Sequence, residues 1–189
     1  MLDGRWLYVA ALPLALVIVA RRPDPERTLV ALVALAHVVI LANVALFPIP
    51  IDGGLLALGR AGAIPAARPG GVNLVPFATI GPVLLGSVPV ATTRIAILNL
   101  FVLAPAGIYL PLLVASFRGW RALIGVALVG GVSVEAAQLA ISALLGFTYR
   151  TIDIDDVILN TLGIVIGWSL ARLAIVARER RLTRDRSAV

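Results

Sequence analysis

Five long stretches of this chain are almost free of charge, and their spacing constrains the fold more than any other feature. They run from about Leu7 to Ala20, Thr28 to Pro48, Ile95 to Ser116, Ala122 to Leu145 and Asp156 to Val176. A helix needs roughly 20 predominantly apolar residues to cross the hydrocarbon core of a bilayer. The last four stretches reach that length, and the first is shorter and contains Pro13. At 60% hydrophobic residues, a water-soluble domain of 189 residues would leave too much apolar surface exposed. The expected fold is all-α, a polytopic transmembrane helix bundle of about five spans. Residues 1–27 would form an N-terminal helix and a cytoplasmic loop, 28–176 the membrane domain, and 177–189 a basic cytoplasmic tail.

The sign of the charge sets the orientation. The sequence pI is near 11.2, which raises nucleic acid as a partner. All 16 basic residues are arginines, however, and they cluster at the ends of apolar stretches, as topology signals do. No nucleic-acid partner is expected. Arg21 and Arg22 follow the first stretch, whereas a signal peptide carries its positive charge ahead of the apolar run. With the N-terminus outside, Arg21, Arg22, Arg27, Arg118, Arg121, Arg172 and the five arginines from Arg178 to Arg186 lie inside. Arg5, Arg60, Arg68, Arg94 and Arg150 then lie outside, giving 11 + 5 = 16. There is no cysteine for disulfide or thiolate chemistry, and one histidine excludes a multi-histidine metal site within the chain.

Between the second and third long stretches, about Ile49 to Arg94, the chain is rich in Gly and Pro. Within it, Asn73-Leu74-Val75-Pro76-Phe77 leads into Ala78 to Gly86, which is too short to cross and is interrupted by Pro82. Residues 73–87 therefore read as a re-entrant or interfacial segment, since non-helical backbone at membrane depth needs protein or water around it.

Polar side chains inside membrane helices are few and expensive, about 2.5–3.5 kcal/mol per central charge on insertion scales. Here they are His37 and Asn43, Asn99, then Glu135, Gln138 and Ser142, and Asn160. Arg150, Asp153, Asp155 and Asp156 precede the last stretch. At helical spacing Asp156, Asn160, Gly163 and Gly167 form one stripe, polar toward the outer surface and small below it. Glu135, Gln138 and Ser142 form another, with Glu135 on the order of 15 Å below the outer helix end. A bland account exists for each. Amides and hydroxyls between membrane helices serve as packing contacts, and carboxylates before a helix cap its N-terminus. Glu135 resists that account, because a carboxyl at such depth must be neutral, paired or wet. His37 lies at a comparable depth, so a contact with Glu135 is geometrically open.

Taken in order, these residues resemble the VanZ-like family. Asn73-Leu74-Val75-Pro76-Phe77 is similar to its Asn-Leu-x-Pro-Phe signature. Asn99, Pro105 and Gly107 match its third-segment motif, with Leu103 where the family has an aromatic. Glu135-Ala136-Ala137-Gln138 matches Glu-x-x-Gln, and Arg150, Asp153, Asp156, Asn160 and Gly163 match Arg-x2-Asp-x2-Asp-x3-Asn-x2-Gly. The resemblance covers about residues 28 to 170. It implies a multi-pass protein of the bacterial plasma membrane, associated with resistance to the glycopeptide teicoplanin without alteration of the peptidoglycan stem peptide.

Two functional classes follow as expectations. In the first, a non-enzymatic envelope protein binds a lipid-linked cell-wall intermediate or a lipoglycopeptide in an outward-facing polar pocket. Its ligand-binding candidates are Asn73, Pro76, Phe77, Asn99, Glu135, Gln138, Arg150, Asp153, Asp156 and Asn160, with Arg94 and Arg150 placed to meet phosphate or carboxylate. In the second, a membrane enzyme acts on an envelope lipid, with Glu135, Asp153 and Asp156 as acid/base candidates. Asp153, Asp155 and Asp156 are then candidates for holding Mg²⁺. No nucleophile motif is recognised, which ranks the enzyme second, and the lack of repeated halves ranks a transporter third.

Overall fold

The computed structural model describes residues 1–21, 24–63 and 71–187; Arg22, Pro23 and residues 64–70, Arg68 among them, lie outside the described residues. Helix α1 (Trp6–Arg21) leads to α2 (Pro25–Leu46), and the short α3 (Gly53–Arg60) follows. A two-residue strand β1 (Val72–Asn73) and the short α4 (Ile80–Leu84) precede α5 (Val90–Val102), α6 (Ala104–Leu113) and α7 (Trp120–Leu145). The strand β2 (Ile152–Asp153) then opens α8 (Ile154–Ser187).

Four segments are long and apolar enough to cross a membrane: α2, α5 with α6, α7, and α8 as far as Asp185. The chain is a multi-pass, all-α membrane protein. Its exterior agrees with that solvent, since Leu29, Val33, Leu98, Val129, Leu139 and Leu173 are all exposed. Helix α1 has 16 residues, about 24 Å at 1.5 Å per residue, less than the roughly 30 Å of hydrocarbon. It nevertheless runs antiparallel to α2 from end to end. Leu2 exchanges backbone hydrogen bonds with Ile49, beyond the end of α2, at 2.8 and 2.9 Å. Trp6 meets Phe47 edge-on.

Helix α8 is the centre of the bundle and packs against α5, α6 and α7. Its small residues permit this. A Cβ on Gly163 would collide with the Leu100 carbonyl oxygen and one on Gly167 with that of Ala104, so α8 lies backbone to backbone against α5 and α6. Leu103, Ala127 and Ile164 form the buried apolar centre. The sequence ends the last apolar stretch near Val176, but α8 continues helical through the basic segment. At 34 residues it is about 51 Å long, so about two fifths of it extends beyond the roughly 30 Å of hydrocarbon.

The third stretch of the sequence is broken at Leu103 for a chemical reason. Pro105 has no N–H to give, and Ala106 N–H turns to Leu103 O at 3.0 Å, so the Val102 carbonyl is left without its helical donor. His37 supplies one through Nε2 at 2.8 Å, while its Nδ1 lies 3.4 Å from the Tyr109 hydroxyl. A carbonyl only accepts, so Nε2 carries the hydrogen and Nδ1 accepts from Tyr109. His37 thus splints the α5–α6 break to α2, and both ring nitrogens are occupied there rather than by Glu135.

Candidate functional site

The polar residues gather where β1, β2, the end of α7 and the start of α8 meet. β1 and β2 pair in parallel, Val72 opposite Ile152 and Asn73 opposite Asp153. This places the segment from Asn73 to Ile80 directly over the start of α8. Glu135 Oε2 accepts from Asp153 N–H at 3.2 Å. Glu135 lies ten residues before the end of α7, so the start of α8 is sunk on the order of 10 Å below that end once the reach of the side chain is allowed for. The start of α8 and the 73–80 segment above it therefore lie below the end of α7, at the same end of the bundle. The end of α7 is met by α3, whose Arg60 Nε donates to Leu145 O at 3.0 Å.

Asp155 is the hub of the cluster and is 0% exposed. One of its oxygens accepts from Phe77 N–H at 2.6 Å, and the other from Thr79 N–H at 2.7 Å and Ile80 N–H at 3.0 Å. Phe77 has φ 64°, a conformation that side-chain-bearing residues rarely adopt. The Asp155 carboxylate turns the backbone N–H groups around that residue inward. Asp153 completes the knot. Its Oδ1 accepts from Asn73 Nδ2 at 3.0 Å and Asp155 N–H at 2.9 Å, and its Oδ2 accepts from Thr79 Oγ1 at 2.7 Å. Asn73 Oδ1 in turn accepts from Val75 N–H. With the backbone so held, Leu74, Val75, Pro76 and Phe77 turn outward and stay exposed.

A second polar set runs inward along α8. Asn99 of α5 donates to Asp156 Oδ1 at 2.5 Å. One turn below, Asn160 is 2% exposed, and its Oδ1 is the one buried side-chain polar atom without a hydrogen-bond partner among the described residues. Glu135, itself 6% exposed, Asp153 and Asp156 lie within electrostatic reach of one another.

Other candidates from the sequence are placed elsewhere. Arg150 donates to Phe47 O at 2.6 Å and Val44 O at 3.1 Å, Tyr149 to Leu46 O at 3.1 Å, and Gln138 to Ala45 O at 2.9 Å. Together they satisfy the carbonyls that the end of α2 leaves unpaired. Burial holds the Tyr149 phenol above its ordinary pKa, which keeps that donor protonated. Arg94 is exposed beside Ile95, Ile97 and Leu98 on the outer face of α5. Among the described residues no three His, Asp or Glu side chains are arranged to hold a metal ion. The reason lies in the knot, where Asp153 and Asp155 point their oxygens at the 73–80 segment rather than at a common centre. Thr79, Tyr149 and Arg60 escaped the sequence reading, because hydroxyls and arginines at helix ends are common and only the fold shows what they touch.

What remains is a buried cluster rich in acceptors. Glu135, Asp156 and Asn160 keep acceptor capacity that the protein does not fill, and the guanidinium groups around it are engaged by helix ends. No curated protein and no solved structure is significantly similar to the chain. The profile of the VanZ/LLP1 family does match it, over residues 31–175, a range holding the Asn73 segment, Asn99, Glu135 and the Arg150 to Asn160 motif that build this cluster; the chain belongs to that family.

Proposed function

We propose that this protein serves the bacterial cell envelope by binding the head group of a lipid-linked cell-wall intermediate or a lipoglycopeptide at the outer polar cluster, and so contributes to teicoplanin-type resistance. The observation that carries this reading is the inward polar stripe. Asn160 Oδ1 is buried without a donor one turn from Asp156, and Leu74, Val75 and Phe77 of the segment over the start of α8 are apolar and exposed. A buried acceptor left unpaired costs about 1–3 kcal/mol, a cost that a ligand hydroxyl, amide or ammonium would relieve. Leu74, Val75 and Phe77 line the approach from the lipid side, which suits an amphiphile entering from the outer leaflet.

This reading places the N-terminus outside and the C-terminus in the cytoplasm of the plasma membrane. The 11-to-5 division of arginines supports that orientation. The Arg178–Glu26 ion pair joins the start of α2 to the emerging end of α8 on the side with more arginines. The test is photocross-linking of a lipid-linked peptidoglycan precursor to purified protein, with lipoglycopeptide as competitor. Labelling within 73–80 or 153–160, lost in Asn160→Leu, is expected. Labelling that is absent, or unchanged in that variant, would remove the proposal.

A second reading is favoured by one observation, the electrostatic proximity of Glu135 and Asp156. Two carboxyls so placed can divide acid and base roles on an envelope lipid. Turnover of a lipid pyrophosphate, assayed with and without Mg²⁺ and abolished in Asp156→Asn, would establish it; no turnover under either condition would remove it.

A further inference from the structure

At the opposite end of the bundle a groove of about 500 Å³ opens between the start of α2, the end of α6 and the stretch of α8 that leaves the hydrocarbon. Its floor is apolar, with Val30, Leu112, Ala174 and Ile175. Its walls carry three guanidinium groups, Arg27, Arg118 and Arg178, and three carboxylates, Asp24, Glu26 and Glu179. The depth is that of lipid head groups. Arg172 is the first charged residue of α8 after Asp156, about 24 Å along the helix at 1.5 Å per residue, so α8 leaves the hydrocarbon over the stretch from Arg172 to Arg178. Charged groups therefore begin where acyl chains end.

The charge pattern selects the ligand. A polybasic groove would suit an anionic lipid, but here cations and anions are equal in number and interleaved. Arg118 is held at its Nε by Pro111 O at 3.1 Å, which fixes the guanidinium at the groove wall. The Arg178–Glu26 pair spans the groove with both side chains about 70% exposed (71% and 72%), and Arg27–Asp24 is similarly open. Exposed ion pairs of this kind are weak and exchange partners readily. The complementary molecule carries a phosphate and a hydrogen-bonding ammonium a few atoms apart, on an acyl tail that the floor accepts.

We propose that this groove is a binding site for a zwitterionic phospholipid bearing a primary ammonium, phosphatidylethanolamine, in the cytoplasmic leaflet. Its phosphate meets Arg27 and Arg118, and its ammonium meets Glu26 and Glu179. The site is independent of the outer polar cluster.

The experiment is native mass spectrometry of the full chain, delipidated and titrated with phosphatidylethanolamine, phosphatidylcholine or phosphatidylglycerol of identical acyl chains. Phosphatidylethanolamine is expected to be retained about tenfold more tightly than either of the others. Phosphatidylcholine has no ammonium hydrogen to donate, and phosphatidylglycerol has no cation. Glu179→Gln, on the exposed extension of α8, should abolish the preference without changing the melting temperature, and Arg118→Gln should weaken retention of both phosphatidylethanolamine and phosphatidylcholine. Arg5→Gln, at the opposite end of the bundle, should leave the lipid preference unchanged. Equal retention of the three lipids, a preference for phosphatidylglycerol, or a preference that survives Glu179→Gln would each overturn the proposal.

Discussion

Asp155 and Asp156 are adjacent carboxylates in the first turn of one helix, yet they belong to two different regions. Asp155 faces the 73–80 segment, and both of its oxygens are filled by backbone donors at 2.6 to 3.0 Å. Asp156 faces α5 in the bundle, where one oxygen takes an amide from Asn99 and the polar groups below it include an unpaired atom. The first region is a closed knot and the second an open stripe. A closed network stabilises a conformation, because every buried group is paired. An open one leaves a buried group unpaired, a local cost of the kind found mostly at functional sites. A motif of alternating carboxylates thus encodes architecture on one side of the helix and the candidate binding surface on the other.

The largest effect is expected from the knot. Asp155→Ala leaves three backbone donors without an acceptor, a loss of at least about 3 kcal/mol. It should appear as a large fall in thermal stability in detergent, with proteolysis within 73–80. A stable Asp155→Ala protein would dissolve the distinction between the two regions.

Gly163→Val comes next. Its side chain meets the Leu100 carbonyl, and separating α5 from α8 by the width of a methyl group should cost about 1–3 kcal/mol. Because Asn99 and Asp156 sit on the two separated helices, ligand cross-linking should fall along with stability. A retained cross-link in a destabilised variant would place binding outside the stripe.

Arg150→Gln should be milder, about 1–2 kcal/mol from unpaired α2 carbonyls, read as a lower melting temperature with cross-linking to the precursor little changed. Loss of binding at unchanged stability would instead put Arg150 at the ligand.

The smallest stability effect, and the sharpest functional one, belongs to Asn160→Leu. Replacing an unpaired buried amide by an apolar side chain of similar size should be neutral or stabilising by up to about 1 kcal/mol, while ligand binding is lost. Stability that falls by more than this would show that Asn160 holds the bundle together.

Much of this was legible in the residues. Asp156, Asn160, Gly163 and Gly167 read as one stripe, and the structure turns that stripe toward α5 and α6. The segment 73–87 reads as too short and too proline-rich to span, and it is a two-residue strand, a turn and one short helix. Arginines are another matter. Arg150 in the motif suggests phosphate, yet it satisfies helix-end carbonyls, as Arg60 and Arg118 do. A guanidinium has the same five donors whichever acceptor it meets, so its spacing in the sequence carries no trace of the choice. His37 is similar, since its partner is a carbonyl freed by a proline 68 positions later in the chain.

Residue order alone set the solvent and the level at which polar groups collect, because both follow from how much charge a given length of chain can carry into hydrocarbon; about five spans are read from it, and four segments are long and apolar enough to cross. Which of those polar groups satisfy one another, and which are left open, was settled by the fold. Pairing depends on distances between residues far apart in the chain, and in a membrane the same carboxylate is either a clamp or a binding group according to the donors that the fold brings to it.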